Sequence, residues 1–448
     1  MKIIKNGTLV TQEGLKKTTL AFENGKIVRI GDIDPKAGDE VIDASGCYVY
    51  PGFIDGHTHL DLEVGGMVTA DDFESGTRAA VAGGTTCVVD FATQYAGDTV
   101  MNALNTWKKK AEGKSHCNYA FHMAICDWNE QTKADLPALR EAGVTSFKVY
   151  MAYDTALTDA EILELLEAIK PFGGILGCHC ENGDLVDELR KQQFEAGHTE
   201  PWAHPLSRPA EVEAEAVNRF CYLGRLADAP INIVHLSSGL GLEEVREARK
   251  RGQTVYIETC PQYMILDESN YLKPDFEAAK YVLSPPLRKK EDMAALKLAV
   301  LAGEVDTIAT DHCSFRFADQ KSAGRDDFRK IPNGAPGIEH RPAIVMHIFK
   351  DQLRPEDYAR LMSENPAKLF GMYPKKGALL EGSDADITIW DPNVKWTIRA
   401  DEMQQNVDYT PYEGFEVTGR PKYVFVNGIL AAKDGLPTDA IAGRYVGR

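Results

Sequence analysis

The feature that most constrains the fold is an alternation of short apolar runs with amphipathic segments, which continues for about 300 residues from residue 51 onward. The runs of strand length are TTCVVDFA, NYAFHMAI, SFKVYMAY, GGILGCHC, INIVHLSS, TVYIETCP and VDTIATDH. Between them, LTDAEILELLEAIKPFG and GLEEVREARKRG carry apolar residues at helical spacing. Repeated strand–helix units predict a parallel sheet, and its most economical closed form is a (β/α)8 barrel of the TIM type.

The two ends of the chain have a different pattern. Residues 1–50 consist of short alternating strands, and ENGK between two apolar runs is typical of a hairpin turn. Strand patterns return near the other end, in ADITIWDP and KYVFVNGILAA. We therefore predict that residues 1–50 and 374–448 build one small β-sandwich, and that the barrel, over 51–373, is inserted between them.

Composition narrows the possible partners. The chain of 448 residues is 44% hydrophobic and 26% charged, with a formal net charge of -17 and no basic block. This argues against nucleic acid or an anionic membrane surface as a partner. No apolar run is long enough to span a membrane. Nine scattered cysteines without a CxxC pair predict a reducing, cytoplasmic location and no disulfide framework.

The stretch YPGFIDGHTHLDL contains two histidines, His57 and His59, two residues apart. On a strand, side chains at this spacing point the same way. Two imidazoles on one face at the end of a strand are suited to a borderline metal such as zinc. By itself the motif is equally consistent with two polar residues in a loop.

Four further polar residues lie at the ends of apolar runs: Lys148, His179, His235 and Asp311. Active sites of (β/α)8 barrels draw their residues from the ends of several strands, and such a barrel takes about 250 residues. The interval from His57 to Asp311, 254 residues, agrees with that length. Taken singly, His179 and His235 are more often buried core residues, but the set as a whole suits a binuclear metal site.

Lys148 does not fit this set in its ordinary form. A buried ammonium beside two divalent cations would be repelled, and its burial is costly. Carboxylation on Nε would turn the cation into an anionic oxygen ligand that can bridge two metals. We therefore expect Lys148 to be N6-carboxylysine if it belongs to the site.

Eight motifs follow one another along the whole chain: GFIDGHTHLDL, FKVYMAY, CHCEN, IVHLSS, TCPQYMILD, LSPPLR, ATDHCSF and NPAKLFGMYPKKG. In content and order they resemble the motifs of the cyclic amidohydrolases, and most closely those of the dihydropyrimidinase and D-hydantoinase family. The resemblance implies a metal-dependent hydrolase that opens a 5,6-dihydropyrimidine or a 5-substituted hydantoin to an N-carbamoyl amino acid. It also implies a homotetramer, since TPYEGFEVTGRPKYVFVNG resembles segments that pack across subunits.

The resemblance also implies a role for each candidate residue. One of two divalent ions, expected to be Zn²⁺, would be held by His57, His59, Lys148 and Asp311, and the other by Lys148, His179 and His235. A hydroxide bridging the two ions would attack the substrate. Asp311 would act as general base and then as general acid, and Tyr153 would donate to the developing oxyanion. Backbone groups at Ser284 and Asn333 would hold the imide edge of the substrate.

Several alternatives remain open from the sequence. The chain has no arginine shortly after its HxH motif, which disfavours a dihydroorotase and, similarly, an allantoinase. Glu63 and Tyr150 depart from the family pattern where the pocket for the exocyclic substituent is expected, so another cyclic ureide, such as a phenylhydantoin, remains an alternative substrate. A non-catalytic scaffold of the same fold is the alternative of another class, and the complete set of ligand positions argues against it.

Overall fold

The computed structural model describes all residues from Met1 to Arg448. Its N-terminal part is made of seven short strands: β1 (Lys2–Lys5), β2 (Thr8–Thr11), β3 (Gly14–Lys17), β4 (Thr19–Glu23), β5 (Lys26–Gly31), β6 (Glu40–Asp43) and β7 (Tyr48–Pro51). The predicted hairpin at ENGK is confirmed, because β4 and β5 pair with Glu23 opposite Lys26. Asn24 and Gly25 have φ angles of 52° and 77°, as a tight two-residue turn requires.

The central part of the chain contains eight parallel strands and one surface hairpin. The parallel strands are β8 (Phe53–Thr58), β11 (Thr85–Thr93), β12 (Asn118–Ala124), β13 (Ser146–Tyr150), β14 (Ile175–His179), β15 (Ile231–Ile233), β16 (Val255–Thr259) and β17 (Thr307–Ile308), and the hairpin is β9 (Glu63–Val64) with β10 (Met67–Val68). All residues of β11 and β12 are buried, as expected of strands covered on both faces.

Helices follow the barrel strands in sequence. They are α1 (Phe73–Ala82), α2 (Val100–Ala111), α3 (Glu130–Glu141), α4 (Asp159–Ile169), α5 (Gly183–Glu195), α6 (Ala203–Leu206), α7 (Ala210–Leu226), α8 (Gly239–Lys250), α9 (Gln262–Ile265), α10 (Lys290–Leu301), α11 (Arg341–Ile348), α12 (Pro355–Ala359) and α13 (Asn365–Leu369). Both helices predicted from spacing are confirmed as α4 and α8. Their starts are capped, α4 by Thr158 with Glu161 and α8 by Ser238. No helix is both long enough and apolar enough to cross a membrane.

The eight parallel strands are hydrogen-bonded in the order of the chain, from β8 through β11 to β17. A bridge between Thr58 and His312, just beyond β17, returns to the first strand and nearly closes the barrel. The predicted (β/α)8 architecture is confirmed. All carboxyl ends of the strands therefore lie at one rim of the barrel.

The two chain ends share a sheet. Four strands complete the fold: β18 (Ile387–Thr397), β19 (Glu416–Val426), β20 (Ile429–Lys433) and β21 (Leu436–Pro437). They form a seven-stranded sheet with N-terminal strands in the order β21-β20-β19-β18-β7-β2-β3, while β5-β4-β1-β6 form a separate sheet. One apolar core joins the two sheets, with Phe22 of one sheet 5.1 Å from Phe425 of the other, measured between ring centroids. The predicted sandwich of both chain ends is confirmed, while the limits 50/51 and 373/374 remain predictions.

Candidate metal centre and active site

The polar residues predicted from strand ends meet at one rim of the barrel. His57 lies near the end of β8, Lys148 is in β13, and His179 is the last residue of β14. His235 and Asp311 follow β15 and β17 within three residues. The in-order closure of the barrel explains why residues so far apart in the sequence become neighbours.

Asp311 lies between the two histidines of the HxH motif. Its Oδ1 atom is 3.2 Å from Nε2 of His57 and 3.3 Å from Nε2 of His59. Nε2 of His57 is buried yet makes no hydrogen bond, and the same is true of Nδ1 of His59. Buried polar atoms without a partner are rare, so these nitrogen atoms indicate a ligand site.

His179 and His235 form the neighbouring part of the site. Nδ1 of His179 lies 3.1 Å from Nε2 of His235, and the His235 ring is 5.3 Å from that of His57, measured between centroids. One donor atom from each of His57, His235 and Asp311 lies within 4.8 Å of the others. These residues therefore form a candidate metal-binding group, and imidazole and carboxylate donors suit a borderline divalent cation.

Lys148 is buried beside these residues with an exposed fraction of 1%. Its Nζ atom lies 4.9 Å from the centroid of the Phe91 ring and 5.3 Å from that of Tyr150. Burial lowers the pKa of Lys148, although Asp311 and Glu258 act in the opposite direction. An amine with a lowered pKa is more often neutral, which is the form that can react with carbon dioxide.

Glu258, at the end of β16, is a site residue that sequence reasoning missed. Its Oε1 atom lies 2.6 Å from Nδ1 of His57 and accepts a hydrogen bond of 3.2 Å from the backbone N–H of His235. Burial raises the pKa of Glu258 to about 8 against the opposing charge of Lys148. By engaging Nδ1, Glu258 orients the His57 ring and leaves Nε2 free to face Asp311.

Glu181 and Arg208 were also missed, and they hold His179 in a similar way. Nε2 of His179 lies 2.8 Å from Oε2 of Glu181, and the same oxygen is paired with Nη1 of the buried Arg208. Burial opposes ionisation, but Arg208 and His179 together lower the pKa of Glu181 to about 2. The only sequence feature that pointed to Glu181 was its position two residues after His179, on the same side of an extended segment.

Tyr153 lies over His179, with 5.1 Å between ring centroids. The Arg208 guanidinium is 5.3 Å from the Tyr153 ring, and burial raises the pKa of Tyr153. Tyr150 is part of the same aromatic group, with its ring 6.1 Å from that of His179.

Glu63 lies in the exposed β9–β10 hairpin, where its carbonyl accepts a 2.9 Å hydrogen bond from the Tyr95 hydroxyl.

Ser284 and Asn333 lie on two chain segments that contact each other. The backbone N–H of Gly334 donates to the carbonyl of Val282 over 3.0 Å. The peptide bond between Ser284 and Pro285 is cis, and both Ser284 and Asn333 are partly buried. The segments are thus adjacent to each other, as a shared role in binding one substrate would require.

Most of the chain matches one known family of enzymes: residues 48–430 match the model of the Amidohydrolase family. The chain therefore belongs to the amidohydrolase family.

Several relatives that match nearly the whole chain are named for particular activities within this family. The chain is 45% identical to the D-hydantoinase of Geobacillus stearothermophilus over 438 residues, 97% of this chain and 93% of the relative. It is 39% identical over 445 residues to a D-phenylhydantoinase of Escherichia coli O81 (strain ED1a), covering 97% and 96% of the two chains. The crystal structure of the dihydropyrimidinase from Brevibacillus agri NCHU1002 superposes with a TM-score of 0.98 at 42% identity, over 100% of this chain and 98% of that one. These relatives confirm the prediction of an enzyme that hydrolyses a cyclic amide. They favour it over the alternative of a non-catalytic scaffold.

Proposed function

We propose that this enzyme opens the ring of 5-substituted hydantoins or 5,6-dihydropyrimidines to give N-carbamoyl amino acids. The observation that carries the proposal is the position of Asp311, whose Oδ1 is 3.2 Å and 3.3 Å from Nε2 of His57 and of His59. A carboxylate among imidazoles at this rim suits both metal binding and proton transfer. The relatives named for hydantoins and for dihydropyrimidines support the substrate class.

We further propose that the site holds two divalent cations, with zinc as the expected metal. One would be held by His57, His59, Lys148 and Asp311, and the other by Lys148, His179 and His235, with Lys148 as N6-carboxylysine. Unpartnered ring nitrogens of His57, His59 and His235 support this assignment. Bound zinc ions would supply Lewis acidity and bring the pKa of water into the neutral range.

The remaining steps fall to the protein's own residues. Asp311 accepts the proton of the attacking water and then delivers it to the departing ring nitrogen. The Tyr153 hydroxyl donates a hydrogen bond to the oxygen on which negative charge develops. Backbone groups at Ser284 and Asn333 pair with the –CO–NH–CO– edge, whose alternating acceptors and donor suit rigid main-chain partners.

The substrate preference is tested directly with the metal-loaded enzyme. Dihydrouracil, hydantoin, 5-phenylhydantoin and allantoin are compared by kcat/KM, with the carbamoyl product measured by chromatography. We expect turnover of hydantoins and dihydrouracil and loss of activity on chelation. A preference for 5-phenylhydantoin would favour the phenylhydantoinase alternative, which the E. coli relative suggests. Hydrolysis of allantoin alone would contradict the proposal.

We also propose a cytoplasmic homotetramer. Nine cysteines without a disulfide suit a reducing compartment. The mass in solution, measured by light scattering, is expected to equal four chains. A mass of one chain would contradict the tetramer.

A further inference from the structure

Lys321 is a fully buried lysine that is paired with no carboxylate. Its exposed fraction is 0%, and Nζ donates to two backbone carbonyls, that of Val282 over 2.8 Å and that of Pro332 over 3.0 Å. Burial lowers the pKa of Lys321 to about 7, and only Cys313 acts against this. Two carbonyl acceptors match the two N–H groups of a neutral amine, so both donors are satisfied in that form.

The two carbonyls belong to the segments that carry Ser284 and Asn333. Val282 lies two residues before Ser284, and Pro332 immediately precedes Asn333. Val282 O also accepts the backbone N–H of Gly334, whereas Pro332 O receives a hydrogen bond from Lys321 alone. The amine is therefore the one polar contact that fixes the Pro332 peptide relative to the other segment.

Burial of an amine is costly, and an apolar side chain of the same length would avoid that cost. What a lysine adds at this position is a pair of hydrogen bonds from one amine to carbonyls of two different segments. We propose that Lys321 is a positioning residue for substrate binding, which sets the spacing between the main-chain groups of Ser284 and Asn333. This inference rests on the proposed function, because those groups act there as the partners of the imide edge.

The test compares metal-loaded wild-type enzyme with Lys321→Met, which keeps the length of the side chain and removes the amine. Lys350→Met, a change at an exposed lysine after α11, is the matched control. We expect Lys321→Met to raise KM for the preferred ureide about tenfold, the cost of one misplaced hydrogen bond, with kcat nearly unchanged. Metal content per chain should equal that of the wild type, and Lys350→Met should match the wild type throughout.

A purely structural role of Lys321 would lower the melting temperature of the variant and leave KM unchanged, and this result would overturn the inference. So would a joint fall in kcat and metal content at constant KM. If circular dichroism shows that Lys321→Met does not fold, Lys321→Gln takes its place. Its amide retains N–H donors, which favours folding, but it is one atom shorter and cannot reach both carbonyls. Its KM should therefore be raised, and a wild-type KM would overturn the inference.

Failure of the proposed function is distinguishable from failure of this inference. If the wild-type enzyme opens none of the cyclic ureides, the proposed function fails and the role of Lys321 fails with it. If the wild type is active and the folded Lys321 variant has the same KM, only the positioning role fails.

Discussion

At the scale of single residues, three members of the candidate site have a backbone conformation that residues other than glycine rarely adopt. The φ angles of Tyr153, His235 and Asp311 are 69°, 40° and 53°. Such strain persists where the surrounding structure enforces it, and it is concentrated at functional sites. Motifs and resemblance selected these residues as candidates, but they did not predict this conformation, because no sequence pattern reports a left-handed φ at tyrosine, histidine or aspartate.

Asp311→Asn tests the proton transfer assigned to this carboxylate. The amide nearly preserves the size of the side chain but cannot accept the proton, so we expect kcat to fall by about 10² to 10⁴. Steady-state kinetics with hydantoin measures the effect. The matched control is Asp61→Asn, two residues beyond His59, where the carboxylate faces Lys110 over 3.6 Å. Near-normal turnover of Asp311→Asn would contradict the assigned role.

Lys148→Ala tests the carboxylated lysine. Without the side chain, the two proposed cations would lose the oxygen ligand that the proposal assigns to both, so we expect loss of both metal and activity. Elemental analysis gives the metal content per chain. Because a small carboxylic acid can occupy the vacated volume, acetate should partly restore activity to Lys148→Ala but not to His57→Ala. Full metal content in untreated Lys148→Ala would count against the modification.

At the scale of elements, the convergence of the candidate residues was predictable where it depends on strand ends. Parallel strands closed in chain order bring their carboxyl ends together, so each polar residue at the end of an apolar run was a candidate. The residues that orient the histidines were not predictable in this way. Arg208 lies 27 residues beyond Glu181 and reaches it only because the chain folds back before α7. Glu258 is an acidic residue in a mostly apolar strand, and nothing in the sequence around it indicates that its partner is His57.

Glu181→Gln tests the turn between β14 and α5. The amide leaves Arg208 buried without a counter-charge, so we expect a loss of about 3 to 5 kcal/mol in stability. Because His179 also loses its anionic partner, metal affinity should fall by about 10- to 100-fold. Urea unfolding and competition with a chelator measure the two effects. Glu188→Gln, an exposed position in α5, is the control.

A double variant separates the two consequences. Glu181→Gln combined with Arg208→Met removes the uncompensated charge, so stability should recover while metal affinity stays low. Recovery of both properties would contradict the orienting role of Glu181.

At the scale of the whole molecule, a buried charged cluster joins the barrel to the sandwich. Nζ of Lys376 is 2.5 Å from Oδ2 of Asp386 and 3.0 Å from Oδ2 of Asp384. Asp386 also accepts hydrogen bonds from Asn118 in β12 and from the backbone N–H of Asn427. The sequence predicted that both chain ends share one module, but not this junction, because its members come from three distant segments.

Lys376→Met should destabilise the protein by about 3 to 5 kcal/mol at neutral pH, since Asp386 loses its buried cation and Asp384 keeps only the half-exposed Lys26, whose Nζ is 2.6 Å from its Oδ1. Burial opposes the shift, yet Lys376 and, to a smaller extent, Lys26 lower the pKa of Asp384 below its ordinary 3.8. The stabilisation from Asp384 is therefore present above that value and is lost as the pH falls through the lowered pKa. Urea unfolding should show a constant difference from wild type at moderate pH that narrows below about pH 3.8.

The control for this comparison is Lys375→Met, which alters the exposed neighbouring lysine. It should unfold like the wild type at every pH. Equal stability of the Lys375 and Lys376 variants would show that the junction contributes nothing measurable.

The seven-stranded sheet pairs β7 with β18, so that Tyr48 to Pro51 lie beside Ile387 to Trp390. During synthesis on the ribosome, β7 emerges more than three hundred residues before its neighbour exists. Until then its edge is unpaired and open to association with other nascent chains. The barrel can form in this interval, but the sandwich cannot, so this protein is most exposed to misassembly during the long interval before β18 emerges.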